Sequence, residues 1–489
     1  MGNAASSPGH DCLLSAVGGN TASVQFQGTS LLGLNTVHPY NLNFPVTPAA
    51  IAFPKTSDQI AAIVKCAAEN GYKVQARSGG HSYGNYGLGG TDGAIVVDMR
   101  HFKQFAMDGT THIATIGSGF NMREVDIHLY SAGQRAMSHG ICPDVGVGGH
   151  FTIGGKGPTS RQWGLALDHI EEVEIVLANS SIVRASDTLN PDIFFAVKGA
   201  AASYGIVTEF KVRTELAQTQ AVQYSYLINL GTTAQRAQLF KDWQAFVTHP
   251  SLTRRFASSL TLLPNSIAIT GIFYGSKEEY DSFNISERFS IPNPGNIIVI
   301  TDWLAMTAHS VEDIIVALGN DIPLTFYSKS LGLSRETLLP PSGIEDLVQY
   351  FDSAPRGLDT RFLIFDLVGG AVNDYAANAT GYPHRDTLLW MDGMIYNLDG
   401  PVTQREYDFM DGVRDLVVRY VPVPDEDVPV YPGYVDPRIP NGQRLYWGGN
   451  LERLEQIKTA VDPEDVFHNP QSVRVDEARW ILDHGRKVV

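Results

Sequence analysis

The sequence has few cysteines, no long apolar run and too few basic residues to balance its acidic ones. Three cysteines among 489 residues, Cys12, Cys66 and Cys142, cannot build a scaffold of several disulfides or a four-cysteine zinc site, and no metal site is predicted. No stretch of about 18 apolar residues suggests a membrane-spanning helix. Lys and Arg number 36 against 52 Asp and Glu, and the net charge of −16 repels phosphate backbones and anionic lipid. Nucleic acid and membranes are therefore not expected partners.

The amino terminus leaves the cellular location open. Residues 1–6 lack the charged and apolar regions of a signal peptide and match the M-G-x-x-x-S pattern of N-myristoylation. This favours an intracellular protein, whereas a secreted protein whose leader has been removed would show the same residues. Tripeptides at Asn179, Asn284 and Asn378 match the N-glycosylation pattern, which a chain of this length also produces by chance.

Apolar periodicity predicts an α+β fold of more than one domain. Residues 50–77 read as strand, helix and strand, with Ser57 capping the helix and Gly71 ending it. Residues 173–177 and 182–184 are predicted to form a hairpin, and the regular βα repeat of a doubly wound sheet is absent. Three more strand candidates follow residue 215, where the pattern changes: 224–230, 258–263 and 267–273.

Two glycine-rich segments, 77–84 and 140–150, carry most of the functional information. The first contains His81 and the second Cys142, each among glycines that let backbone N–H groups approach a flat ring or a pyrophosphate closely. Taken singly, His81 is typical of a loop histidine and Cys142 of a small buried side chain. Together, a nucleophilic imidazole and a thiol in such surroundings favour a covalently held aromatic cofactor.

Rival motifs are weaker. Residues 80–84 match the G-x-S-x-G nucleophile elbow of serine hydrolases, with Ser82 as the nucleophile, but the elbow must start a helix. Five glycines between positions 84 and 93 make such a helix unfavourable, since each costs about 1 kcal/mol relative to alanine. No G-x-G-x-x-G dinucleotide motif is complete, and Lys156 precedes Gly157 where a phosphate-binding loop requires Ser or Thr.

With Pro143 following Cys142, the two segments resemble the berberine-bridge-enzyme-like branch of the vanillyl-alcohol-oxidase flavoproteins, and within it the fungal glucooligosaccharide and chitooligosaccharide oxidases. The resemblance implies FAD held by two covalent bonds, from His81 to the flavin C8 methyl and from Cys142 to C6. It also implies a monomer. Cys12 and Cys66 match a disulfide of secreted relatives, and two free thiols are the alternative.

The resemblance further implies a two-part FAD-binding domain and a substrate domain built on an antiparallel sheet covered by helices. The expected boundaries are 1–215 for the FAD domain, 216–427 for the substrate domain and 428–489 for a segment that returns to the FAD domain. The residues expected to contact FAD, besides the two anchors, are Arg77, Ser78, Gly79, Gly80, Ser82, Gly146, Gly149, His150, Gly154, Gly155, Gly205, Ile206, Val207, Tyr446 and Asn450.

The resemblance also assigns the chemistry. Oxidation of an alcohol requires a base that takes the hydroxyl proton while hydride leaves carbon. Tyr434 matches the catalytic tyrosine of the oligosaccharide oxidases, Asp366 the aspartate that supports it, and Tyr83 a further active-site tyrosine. Val145 matches a position that controls access of oxygen to the flavin, where valine is typical of oxidases.

The substrate stays open at the level of sequence. Ile364 and Thr261 stand where the glucooligosaccharide oxidase pattern has glutamine and glutamate, which argues against tight recognition of a glucose chain. One expectation is an oxidase that converts an alcohol or an oligosaccharide reducing end, with oxygen giving hydrogen peroxide. The alternatives are a tailoring oxidase of secondary metabolism, which cyclises its substrate or oxidises an alcohol or amine, and a flavin scaffold without redox turnover.

Overall fold

The computed structural model describes residues 8–27, 37–229, 232–289, 291, 295–309, 322–355, 357–358 and 360–476. The myristoylation pattern at residues 1–6 lies outside these ranges. The fold is α+β, as predicted, because parallel pairing between the described strands is confined to one small sheet and the other sheets are antiparallel. The helices are α1 Pro8–Ala16, α2 Ser57–Glu69, α3 Met122–Ser131, α4 Val147–His150, α5 Ser160–Trp163, α6 Pro191–Ala200, α7 Thr233–Val247, α8 Lys277–Asp281, α9 Ile285–Arg288, α10 Trp303–His309, α11 Pro341–Asp352, α12 Gln404–Arg419, α13 Gly442–Trp447 and α14 Leu451–Val461.

The first sheet has four strands in the order β1-β2-β4-β3. They are β1 Val24–Phe26, β2 Ala50–Ala52, β3 Val74–Arg77 and β4 Ile95–Asp98. The predicted strand, helix and strand at 50–77 are β2, α2 and β3, and the apolar face of α2 is buried as its spacing requires. The helix cap is Thr56 rather than the predicted Ser57, because the Thr56 hydroxyl accepts the Gln59 N–H at 3.3 Å.

The second sheet has five antiparallel strands in the order β5-β6-β10-β8-β9. They are β5 Phe105–Met107, β6 Ile113–Gly117, β8 Ile170–Leu177, β9 Ile182–Ser186 and β10 Gly205–Arg213. The predicted hairpin at 173–184 is the β8–β9 pair, so that prediction is confirmed. A short ribbon pairs β7 Arg135–Ala136 with β11 Glu215–Leu216, and β7 precedes the segment that carries Cys142 in the chain.

The third sheet has seven antiparallel strands in the order β15-β12-β14-β13-β17-β18-β16. They are β12 Ala221–Ile228, β13 Phe256–Leu263, β14 Ser266–Phe273, β15 Asn296–Ile300, β16 Phe326–Ser334, β17 Arg361–Leu367 and β18 Thr387–Tyr396. Helices α7, α11 and α12 bury their apolar residues against one face in the largest core of the molecule. The opposite face of β13, β17 and β18 is left to line a cavity.

The chain after residue 428 returns to the first two sheets. The Val74 N–H donates to the Val466 carbonyl at 2.8 Å, and the Trp447 indole donates to the Gly199 carbonyl at 3.0 Å. Lys458 is buried and donates to the Ser203 carbonyl at 2.8 Å. These contacts support the proposed division at residues 215 and 427, which stays a prediction.

Cys12 on α1 and Cys66 on α2 form a disulfide, with Cα atoms 5.9 Å apart. Of the two alternatives left open above, the structure therefore has the disulfide rather than free thiols. Among the described residues no helix has the length and apolar character needed to cross a bilayer. The described residues also contain no group of three or more His, Cys, Asp or Glu side chains that could hold a metal ion.

Candidate active site

A cavity of about 630 Å³ lies where the two glycine-rich segments, the free face of the seven-stranded sheet and the loop around Tyr434 meet. This volume lies within the usual range of cofactor and substrate sites. Residues of the first and third sheets and of the loops between them line it, so the site depends on the packing of distant parts of the chain. His81 and Cys142, 61 residues apart (142 − 81), both line it.

The first glycine-rich segment follows directly from β3. Arg77 ends the strand with its guanidinium 3.2 Å from the Asp98 carboxylate, which fixes the start of the loop. Gly80 has φ +79° and lies against that guanidinium, so a side chain there would be strained and would clash. The loop then places the His81 ring 4.6 Å from the Tyr40 ring, between centroids.

The second glycine-rich segment is held by the start of α3. The N–H groups of Met122 and Arg123 donate to the carbonyls of Val145 and Pro143, both at 3.0 Å. Gly146 packs backbone to backbone on the first segment, since a Cβ built there would stand 2.0 Å from the Gly79 nitrogen. The sequence needs glycine at this contact, and the contact brings the two segments together.

A hydrogen bond to His150 also fixes the segment that carries Cys142, and both of these side chains are uncharged. The Gly140 N–H donates to His150 Nε2 at 2.8 Å, which requires an unprotonated acceptor nitrogen. Burial, with help from His139 and Lys156, lowers the pKa of His150 to about 3. Burial also raises the pKa of the Cys142 thiol to about 11, so both side chains are uncharged near neutral pH.

The cavity fits a flat aromatic cofactor in the position that the glycines predict. Gly149 faces the cavity, and a Cβ built there would meet no atom within 4 Å. The backbone is therefore open to the cavity at this position, with no side chain between them. Cys142 is a free thiol on the wall of the same space. Backbone, thiol and imidazole on one cavity of this size are what a covalently held flavin requires.

The proposed catalytic residues meet around a lysine that the sequence did not single out. Lys156 forms a buried ion pair with Asp366, whose other oxygen accepts the Ser259 hydroxyl at 2.6 Å. The Lys156 ammonium lies 4.9 Å from the centre of the Tyr434 ring. Burial would lower the pKa of Lys156, but Asp366 and Tyr434 raise it well above its ordinary value, so the ammonium stays charged.

Tyr434 lies between this ammonium and an aromatic wall. Its ring stacks on Tyr83, with centroids 5.5 Å apart and planes 13° apart, and meets Tyr431 edge-on. Burial raises the pKa of Tyr434 above its usual range, and Lys156 opposes that shift. The arrangement can hold a phenol beside a fixed positive charge, with the Tyr434 side chain half-buried on the cavity wall.

The hydrolase alternative is wrong. A single 3₁₀ turn, Tyr86–Leu88, follows Gly84 in place of the helix that a nucleophile elbow must start. The Ser82 hydroxyl oxygen accepts the Tyr86 N–H at 3.1 Å and so serves the loop.

Comparison with known proteins identifies the family. Residues 48–186 match the sequence model of an FAD binding domain, and residues 430–474 match the model described as berberine and berberine like. The FAD-linked oxidoreductase sorD of Penicillium rubens is 41% identical over 465 residues, 94% of this chain and 97% of that protein. The chain belongs to the berberine-bridge-enzyme-like FAD-linked oxidoreductases.

Solved structures of the family have the same fold. The xylooligosaccharide oxidase from Myceliophthora thermophila C1, in complex with xylobiose, superposes with a TM-score of 0.87 at 32% identity, covering 96% of this chain and 100% of that one. Glucooligosaccharide oxidase from Acremonium strictum superposes with a TM-score of 0.84 at 29% identity over 96% and 99% of the two chains. That structure is described with a 6-S-cysteinyl, 8α-N1-histidyl FAD.

Most of the residues predicted for the site lie on the cavity of this berberine-bridge-enzyme-like protein. They are Arg77, Ser78, Gly79, Gly80, His81, Ser82, Tyr83, Cys142, Val145, Gly146, Gly149, His150, Asp366, Tyr434 and Tyr446. Their individual roles toward FAD and substrate stay predictions.

Six of the predicted FAD contacts lie off the wall of this cavity: Gly154, Gly155, Gly205, Ile206, Val207 and Asn450.

Their surroundings explain these positions. Gly205 begins β10, where a Cβ would stand 2.5 Å from the Val176 carbonyl of β8, and Ile206 and Val207 pack in the cores behind the strand. Asn450 donates to the carbonyls of Ala377 and Thr380.

Gly154 and Gly155 support the loop that carries Tyr434. A Cβ at Gly154 would stand 3.1 Å from the Tyr382 and Tyr431 rings, and the Gly155 N–H donates to the Tyr431 hydroxyl at 3.0 Å. In this structure both glycines therefore shape the substrate side of the cavity through Tyr431.

Two charged residues of the cavity were missed by the sequence prediction. Lys156 lies between two glycines, a position that the sequence links to no known motif. Asp392 is the one charged residue in the otherwise apolar strand β18, and a charge inside such a strand is a signal that could have been used.

Proposed function

We propose that this protein is an oxidase that binds FAD through two covalent bonds, from His81 and Cys142, and oxidises an alcohol or a sugar hemiacetal, with oxygen as electron acceptor and hydrogen peroxide as product. The observation that carries the proposal is the placement of Tyr434, which faces the same cavity as His81 and Cys142 and has the Lys156 ammonium 4.9 Å from its ring. We also propose that it acts as a monomer.

When bound, FAD supplies the acceptor for hydride and the electrons that oxygen removes. The substrate hydroxyl needs a base, and on the cavity the Lys156 ammonium lies nearer to the ring of Tyr434, at 4.9 Å, than to that of Tyr431, at 5.7 Å. Lys156 stabilises the phenolate form of Tyr434, and Asp366 holds Lys156 in place by the buried ion pair. Tyr83 stacks on Tyr434 and fixes the plane of its ring.

In this proposal Asp366 supports Tyr434 through Lys156. Asp366 bonds to Lys156 and Ser259, and no described residue pair places its carboxylate in a hydrogen bond with Tyr434. This refines the expectation from sequence, where Asp366 assists the tyrosine directly. Its consequence is that Lys156 and Asp366 should act as a unit in mutant kinetics.

A substrate panel read by hydrogen peroxide tests the proposed function. The panel contains xylobiose, cellobiose, benzyl alcohol and benzyl alcohols with a phenolic hydroxyl on the ring. Each compound is also tested anaerobically for bleaching of the flavin absorbance. The proposal expects both peroxide and bleaching with at least one compound. Product formation without either signal would instead support the scaffold without redox turnover.

Covalent attachment gives a prediction that needs no substrate. The acid-precipitated protein should stay yellow, because two bonds hold the flavin. Either His81→Ala or Cys142→Ala alone should retain it through the remaining bond, and the double variant should release it on denaturation. Absorbance of the acid pellet and supernatant measures this. Flavin in the supernatant of the unmodified protein would refute the double attachment.

Val145 gives a prediction about oxygen. The side chain lies on the cavity wall three residues after Cys142, with its backbone tied to α3. Val145→Leu adds volume at this wall, so the rate at which air restores the flavin absorbance should fall severalfold while anaerobic reduction by substrate changes little. Stopped-flow absorbance separates the two rates. Equal rates of recovery in air would remove Val145 from control of oxygen access.

A further inference from the structure

Asp392 on β18 lines the cavity and takes no part in the mechanism above. In the register of the sheet it is opposite Ile364 on β17 and Ser330 on β16. Asp366 is two residues from Ile364 on β17, so the two carboxylates occupy neighbouring rows of one sheet face. A ligand that reaches Tyr434 and Asp366 therefore has Asp392 within reach.

The two carboxylates differ in how they are compensated. Asp366 has the Lys156 ammonium and the Ser259 hydroxyl. Asp392 is 3% exposed and accepts one hydrogen bond, from the Ser328 hydroxyl to Oδ1 at 2.8 Å. No described residue is recorded as donating to Oδ2 of Asp392, and the side chain lines the cavity. A buried carboxyl of this kind requires a donor, and the cavity is where one can arrive.

The immediate surroundings of Asp392 are aromatic and apolar. Met394 and Tyr396 follow it on the same strand, and both belong to a buried cluster that Tyr83 also joins. The hydroxyls of Tyr83 and Tyr396 point to the Met394 sulfur, at 3.9 Å and 3.6 Å. These hydroxyls are thus directed to a weak acceptor, and Asp392 is the strong hydrogen-bonding group of this part of the wall.

Four of the neutral polar side chains on the cavity lie far from Asp392. Those on β12, β14 and β15 are three to five strands from β18, which at about 4.8 Å per strand is about 14 Å or more. They are Gln223, Ser225, Thr270 and Asn296. Nearer to Asp392, Ser259 and Thr261 lie on β13, two strands from β18, and the Ser259 hydroxyl already donates to Asp366 at 2.6 Å. A sugar ring near Tyr434 would need several donors and acceptors around it, and this part of the sheet provides few.

We propose that Asp392 is a specificity residue that accepts a hydrogen bond from a phenol-like hydroxyl, and that the substrate is a compact aromatic alcohol rather than an oligosaccharide. The inference rests on the proposed function, because it places the substrate beside the flavin in the same cavity. A neutral hydroxyl suits the site better than an ammonium group, because an ammonium needs several acceptors and the cluster of Met394 and Tyr396 beside Asp392 provides few.

The affinity for such a ligand should depend on pH. Burial raises the pKa of Asp392 to about 7, with Ser328 and Lys156 opposing and Asp366 adding to the shift. Above that pH the group is a carboxylate and accepts the phenol hydroxyl strongly, whereas below it one oxygen carries a proton. Phenol affinity should therefore rise as the pH increases from 6 to 8.

The other ionisable groups that face Asp392 keep their charge state over this range. Burial raises the pKa values of Tyr83, Tyr396 and Tyr434 above their ordinary value, so none of these phenols has its titration midpoint between pH 6 and 8, and Lys156 stays charged. Asp366 remains paired with Lys156. A change in ligand affinity near pH 7 is thus expected to report Asp392.

Binding of phenol and of its methyl ether, anisole, tests the proposal on the flavin-loaded protein. The two ligands have similar shape, but only phenol donates. We expect phenol to bind about tenfold or more tightly than anisole at pH 8, the usual gain for a hydrogen bond to a charged group. Titration followed by the flavin absorbance, and independently by the thermal unfolding temperature, gives both affinities without turnover.

Asp392→Leu should abolish the preference, and Asp392→Asn, which keeps the shape, should reduce it and remove its pH dependence. Asp281→Asn makes the same chemical change at an exposed site of α8, with 54% of the side chain accessible, and should leave the preference intact. Equal binding of phenol and anisole to the unmodified protein overturns the proposal. So does an unchanged preference in both Asp392 variants, or tighter binding of benzylammonium or xylobiose than of phenol.

The outcomes for the two proposals are separable. Failure of the oxidase proposal appears as absent peroxide or absent covalent flavin, whereas the ligand preference is read from unfolding temperatures that require neither. A protein that produces peroxide from xylobiose and binds phenol and anisole equally would keep the oxidase and lose the specificity role of Asp392.

Discussion

Tyr434→Phe should slow anaerobic flavin reduction by substrate by about 10²–10⁴-fold, the usual contribution of a general base, while substrate affinity changes little. The substitution keeps the ring that stacks on Tyr83 and removes only the oxygen that takes the proton. The loss should fall on the reduction step because the base acts when hydride leaves carbon. Single-turnover stopped-flow absorbance measures that step directly.

Two variants control this experiment. Tyr280→Phe removes another buried tyrosine hydroxyl, which bonds to Tyr226 in the core of the seven-stranded sheet, and should reduce the flavin at the unmodified rate. Tyr83→Phe tests the next candidate for the base on the same cavity. Reduction of Tyr434→Phe at the unmodified rate would contradict the assignment, and a large loss in Tyr83→Phe alone would move the base to Tyr83.

The parts of the site that follow from local sequence were predictable. The glycines of segments 77–84 and 140–150 adopt backbone geometries that other residues resist, as at Gly80, or permit contacts that a side chain would block, as at Gly146. Such requirements can be recognised in the sequence, because they select glycine at each of these positions. The elements around them, α2 and the β8–β9 hairpin, were also marked by their own periodicity.

The substrate side was less predictable because it depends on long-range register. Lys156 and Asp366 are separated by 210 positions, and Asp392 faces the cavity only because β17 and β18 pair with Ile364 opposite it. A shift of one residue in that pairing would turn Asp392 to the other face of the sheet. Gly205 shows the reverse case, since a glycine expected at the cofactor is required by close packing of two strands.

Lys156→Met should give the second largest loss, and its signature is a change in pH dependence. The ammonium lies 4.9 Å from the Tyr434 ring and lowers the pKa of a phenol that burial would otherwise raise further. Without it the phenolate is less populated at any given pH. A rise of about one to two units in the pKa of Tyr434 lowers that population by about 10–100-fold, so flavin reduction near neutrality should slow by the same factor. The rising limb of the rate against pH should move to higher pH.

Lys156→Arg separates charge from shape, because it keeps the cation and its pairing with Asp366 and should restore most of the rate. Lys198→Met is a matched control: this lysine is also buried, has its ammonium 4.8 Å from the Phe194 ring, and lies off the cavity wall. It should leave the pH profile unchanged whatever it does to stability. If Lys156→Met lowered the unfolding temperature but left the pH profile of flavin reduction in place, Lys156 would be a partner of Asp366 alone and the phenolate of Tyr434 would need another source of stabilisation.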